Sequence, residues 1–176
     1  MKKLTLDQFN AQLDSSQLKQ RQKKDLRFIN SVSSLTDDDW RDSELLAIKD
    51  RSGNKGLLAI DVGNGLHLLP FEINKLSPSS STGRSSSIIC DFCMTWQAGT
   101  RAGSIVFPSI SHNRSSNGFI CCLDLDCSRH VRTKTSAAKV SRAQVRENLD
   151  NDARVVRLRK RLADLIDTLG SKPVGQ

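Results

Sequence analysis

Two spaced cysteine pairs constrain this chain more tightly than any other feature. "CDFC" sets Cys90 and Cys93 two residues apart, "CLDLDC" sets Cys122 and Cys127 four apart, and a fifth thiol, Cys121, adjoins Cys122. A redox Cys-x-x-Cys pair belongs after a strand in a βαβ unit, and no such unit is readable around Cys90. A disulfide framework fits poorly with an odd number of cysteines and with the polar start "MKKLTLDQFNAQLDSSQ", which lacks a secretory apolar core. That start, with no apolar run near the roughly 20 residues of a membrane span, predicts a cytoplasmic protein without membrane contact.

Metal is the remaining reading. Between the pairs, the β-type runs "GSIVFPS" (103–109) and "GFICC" are joined by the polar loop "ISHNRSSN". A knuckle presenting two thiolates, a hairpin, and a second pair at a strand end and the first turn of a helix form a treble-clef zinc finger. Asp126 is placed to cap that helix. Adjacent strand residues face opposite ways, so only one of Cys121 and Cys122 can serve. His130 and His112 are alternative ligands. A segment of about 50 residues with few large apolar side chains needs metal to complete its stability.

The preceding chain reads as a small α+β unit over residues 1–76. Leu4, Leu6, Phe9 and Leu13 recur at helical spacing behind Thr5, and Leu18, Leu26, Ile29 and Val32 mark a second helix. "TDDDW" reads as a turn that plants Trp40 in the core. "ELLAIKD" (44–50), "GLLAIDV" (56–62) and "LHLLPFEI" (66–73) are strands separated by hairpin-turn residues, an antiparallel meander. Pro70 predicts an edge position or a bulge for the third strand.

Residues 77–87, "SPSSSTGRSSS", hold seven serines and cannot bury apolar surface, so they read as a linker between independently folding halves. The zinc domain then spans 88–170, with a tail at 171–176. Its closing helix carries Val155, Leu158, Leu162, Leu165 and Leu169 on one stripe, with Arg154, Arg157, Arg159, Lys160 and Arg161 on and beside the opposite side.

Charge follows the same division. Residues 1–76 hold 12 Lys+Arg against 11 Asp+Glu, whereas residues 77–176 hold 15 against 8. The second half therefore suits an acidic partner, protein or RNA. With no tyrosine and 5% aromatic residues, stacking platforms for single-stranded RNA are scarce. No Ser/His/Asp set or phosphate-binding glycine loop is evident, and four cysteines close a zinc against substrate water, so no enzyme and no small-molecule substrate are expected.

The pattern "CDFCMTW…GT…GFICCLDLDCSRHVR", followed by a basic connector and "ARVVRLRKRLADLIDTL", resembles the C-terminal treble-clef domain of the elongation-factor-G-binding family. That family comprises the FusB-type fusidic-acid-resistance proteins and actinobacterial FBP-domain relatives. The second pair there reads C-x-D-L-x-C-S with V-R shortly after, met here by Cys122, Asp124, Leu125, Cys127, Ser128, Val131 and Arg132. The resemblance covers about residues 88–170. It implies zinc on Cys90, Cys93, Cys122 and Cys127, and a non-enzymatic role: binding elongation factor G and promoting its release from a drug-stalled ribosome. Phe92, Trp96, Arg101, Arg129 and Arg132 are then the candidate contacts, as aromatic and arginine side chains dominate interface energies.

Overall fold

The computed structural model describes residues 1–16, 18–26, 32, 35–77, 87–108, 116–133 and 149–174. Most of the 77–87 linker (78–86), the hairpin loop with His112 (109–115) and most of the basic connector (134–148) lie outside them, as does Ile29 of the second helical run.

Helix α1 (Leu6–Ser15) starts where Thr5 predicts, in a capping box closed by Gln8, and buries Phe9 and Leu13. Helix α2 (Gln20–Leu26) follows. The acidic segment forms a short helix rather than a plain turn: α3 (Asp37–Arg41) is boxed by Thr36 and Asp39 and buries Trp40.

Strands β1 (Leu45–Lys49), β2 (Lys55–Asp61) and β3 (Leu66–Lys75) form the expected meander. Gly53 (φ 74°) turns the first hairpin, and Gly63 (φ 104°) and Gly65 (φ 112°) turn the second. At Gly56 a Cβ would lie 2.1 Å from the Ile48 carbonyl oxygen, so glycine lets β1 and β2 close.

The sheet does not stop at β3. Glu72–Lys75 pair with Val106–Gly103 of β6 (Ala102–Pro108), and β6 pairs with β7 (Ser116–Cys122), giving one five-stranded antiparallel sheet in the order β1-β2-β3-β6-β7. The finger's hairpin therefore continues the meander. This corrects two expectations. The segments on either side of 77–87 share one hydrogen-bonded sheet, so the boundary expected there falls within a single sheet. The third strand is central; Pro70 is tolerated because the β3–β6 ladder ends at Glu72↔Val106, leaving its missing N–H without a partner to lose.

Period-two alternation sorts β2 to both faces. Leu57 and Ala59 join Phe9, Leu13, Leu18, Val32, Trp40, Ile48 and Leu68 in one core beneath the N-terminal helices. Leu58 and Ile60 join Leu69, Phe71, Ile73, Ile105 and Phe107 in the other, which also holds the cysteines. That second core is covered by α5 (Asn151–Leu169), which buries Leu158, Leu162, Leu165 and Ile166, with Val155 and Leu169 half-buried. Asp150 caps α5 by accepting from the Ala153 N–H at 2.7 Å, and Gly170 (φ 61°) ends it. The tail is attached: the Val174 N–H donates to the Leu66 carbonyl at 2.8 Å. No helix among the described residues is long and apolar enough to cross a membrane.

Candidate metal centre

A two-stranded ribbon, β4 (Ile88–Ile89) with β5 (Trp96–Gln97), frames the first cysteine pair. Within it the Cys90 N–H donates to the Thr95 carbonyl at 3.0 Å and the Met94 N–H to the Cys90 carbonyl at 2.9 Å, with Met94 at φ 57°. This tight reversal aims both thiols inward. Cys122 ends β7, a turn through Leu125 (φ 61°) follows, and Cys127 opens α4 (Cys127–Val131). Asp126 occupies the N-cap position of α4, but its side chain makes no capping bond and lies 3.8 Å from Arg129 instead.

The sulfurs of Cys90, Cys93, Cys122 and Cys127 all lie within 4.8 Å of one another, every one buried. Cys90 and Cys127 are 3.8 Å apart and Cys93 and Cys122 3.5 Å. A tetrahedral zinc–thiolate centre with bonds of about 2.3 Å has sulfur–sulfur edges of about 3.8 Å, so the set fits zinc. Its protonation fits too. Burial opposes ionisation of Cys93, but hydrogen bonds from Cys122, Cys127, Cys90 and His130 outweigh it and hold that thiol well below the ordinary range. Cys127 is held the other way by its hydrogen bonds with Cys122, Cys90 and Cys93 and by burial. Without a cation one thiolate is stabilised at its neighbours' expense; a divalent ion lets all four ionise. Zinc held by four thiolates is a closed structural centre that supplies folding energy.

Cys121 stands outside this set. It packs in the same core, and burial pushes its thiol up, so it stays protonated. His130, fully buried, sits behind the sulfurs. Its Nδ1 is 3.2 Å from Cys122 Sγ, and its Nε2 is 3.4 Å from Asp124 Oδ2, an ion-pair distance without hydrogen-bond alignment. Burial disfavours its charge, but Asp124 and Cys93 overcome this and raise its pKa to about 9. On the other side Thr95 Oγ1 lies 2.9 Å from Cys93 Sγ and accepts from Gln97 Nε2, also at 2.9 Å. These groups orient the thiols from behind.

The centre is tied to the meander through α4. Ser128, next to Cys127, accepts from the Glu44 and Leu45 N–H groups at 3.0 and 3.3 Å. Arg132 grips the Glu44 carboxylate at 2.8 and 2.7 Å, and Arg159 of α5 reaches it at 3.2 Å. Lys49 Nζ, at the far end of β1, donates to the Leu123 and Asp124 carbonyls at 3.1 and 3.3 Å. Sequence reasoning missed Glu44, Thr95 and Gln97. A glutamate at a strand start reads as solvated, and only the tertiary fold brings Arg132 to it.

Over residues 16–169 the sequence matches the family model described as FBP C-terminal treble-clef zinc-finger. The chain belongs to that family. No curated protein and no solved structure matches it. The family match begins at residue 16, so the FBP domain takes in the meander as well as the finger, as the shared sheet requires. Two motif residues of this FBP chain, Ser128 and Arg132, are the ones that clamp β1.

The candidate contact residues divide. Trp96 is 42% exposed on the ribbon, opposite Ile89. The Arg129 side chain is 52% exposed, and Arg101 is paired with Asp124 at 3.3 Å at the surface. Phe92 is only 2% exposed, its ring centroid 5.8 Å from that of Phe119, and Arg132 is committed to Glu44. These two support the fold and are not free contacts. His112 lies outside the described residues.

Proposed function

We propose that this chain is a non-enzymatic zinc-binding protein of the translation apparatus that binds elongation factor G through its finger and α5. The observation that carries this reading is family membership across residues 16–169, with both cysteine pairs gathered at one candidate metal centre. The donor set supports a structural role, since four thiolates leave zinc no position for substrate water. Trp96 and Arg129 are exposed beside the centre, as are Arg159, Lys160 and Arg161 on α5, which suits an acidic protein surface. A cytoplasmic location and a role in freeing a stalled ribosome belong to the same reading.

The test is titration calorimetry of the zinc-loaded full chain against purified elongation factor G from the same organism. A complex that weakens as salt rises is expected, because exposed charges chiefly affect encounter and are screened. Arg129→Glu should reduce binding with zinc retained. Absence of a complex at low salt overturns the proposal. The basic half of α5 then favours RNA, recognised by a linear fall of log affinity with log salt.

A further inference from the structure

A cleft of about 280 Å³ opens between the knuckle, β7 and α5. Phe92, Phe119 and Leu165 form its apolar part, and Asp91, Arg161, Asp164 and Thr168 its polar one. Phe92 and Leu165 are fixed in the core, while Arg161, Asp164 and Thr168 are exposed on α5. The site is thus a preformed aromatic floor under a charged rim. Its size falls just below the roughly 300–1,000 Å³ of small-molecule pockets and suits one large side chain.

The rim is electrostatically unfinished. Arg161 and Asp164 stand three residues apart on α5, yet no ion pair among the described residues engages either. Asp91 spends one carboxylate oxygen on the Ile120 N–H, at 2.7 Å. A cation and two carboxylates therefore border an apolar hollow, with the exposed Ile89–Trp96 pair beginning two residues from Asp91. Aromatic anchors in such hollows, ringed by groups that exclude water, carry most of the energy of protein interfaces.

We propose that this cleft is the anchor site for the protein partner, taking one aromatic side chain flanked by a basic and an acidic residue. The aromatic ring packs on the half-buried Phe119, which Phe92 backs from within the core, its basic neighbour meets Asp91 and Asp164, and its acidic neighbour meets Arg161. This rests on the elongation-factor-G reading and names the part of the surface that would carry it.

The test uses the zinc-loaded full chain and elongation factor G. Thr168→Trp puts a large ring over the cleft mouth. The double variant Arg161→Glu/Asp164→Arg inverts the rim at unchanged net charge, so general electrostatic attraction is preserved. All three positions are exposed, and an unchanged thermal midpoint and zinc content establish the fold. Each variant is expected to weaken the complex at least about tenfold. If wild type binds and both variants bind equally well, the cleft proposal is overturned while the function reading stands. If wild type itself forms no complex, both fall together.

Discussion

Arg132 holds Glu44 through two nitrogens of one guanidinium, at 2.8 and 2.7 Å, across 88 positions of sequence. Glu44 is 2% exposed, so the pair spans the junction between α4 of the finger and the start of β1. Removing Arg132 leaves the buried Glu44 carboxylate only the longer contact to the half-exposed Arg159, so the loss falls near the low end of the roughly 3–5 kcal/mol of a broken buried pair. Arg132→Ala should lower the unfolding free energy of the zinc-loaded protein by about that much. Arg129→Ala, at an exposed site in the same helix, should leave it within about 0.5 kcal/mol. Equal effects would contradict the assignment.

The same pair sets a pH dependence. Burial opposes ionisation of Glu44, yet Arg132, Ser128 and Arg159 outweigh it and hold its carboxyl below the ordinary 4.5. A depressed folded-state value means the unfolded chain binds the proton more readily. The contribution is therefore complete above about pH 4.5 and is lost as pH falls through the folded value. Urea midpoints of wild type and Glu44→Gln should differ most near neutrality and converge below pH 4.5.

Zinc is expected at one equivalent per chain by elemental analysis. Cys122→Ser should release the metal and with it the folding energy of the centre, whereas Cys121→Ser should keep it. Loss of zinc from Cys121→Ser with retention in Cys122→Ser would transfer the ligand role to Cys121.

A fragment beginning at residue 88 leaves β6 without β3 and Arg132 without Glu44. It should give a broad, low-temperature melting transition and poorly dispersed amide spectra even with zinc present. A sharply melting fragment would restore the two-unit reading that the serine-rich stretch invites.

Gly56→Ala would drive a methyl group into the Ile48 carbonyl oxygen at 2.1 Å, which only a shift of the β1–β2 ladder relieves. A loss of about 1–3 kcal/mol is expected by chemical denaturation. At Gly118 the nearest atom is 3.9 Å away, and alanine there should be close to neutral.

What the sequence made legible was local. Thr5 announces α1, glycine turns bound β1 to β3, and the cysteine spacing marks the centre, because each signal acts within a few residues. Strand alternation alone left Cys121 and Cys122 open; the family motif pointed to Cys122, and the fold gathers that thiol with the other three while Cys121 packs in the core. The β3–β6 pairing was hidden because no local pattern specifies a register across 77–87. Pro70 misled for a related reason: its meaning depends on how far β6 extends.

The two tryptophans turn this architecture into an optical gauge. Trp40 lies buried in the core beneath the N-terminal helices, and Trp96 stands on the exposed ribbon beside the cysteines. Their emission should separate into a blue component and a red one. Because Ser128 and Arg132 clamp Glu44, four residues from Trp40, chelating the metal should move the blue component as well as the red. The chain would then report the state of its metal from the other side of the sheet, with no dye attached.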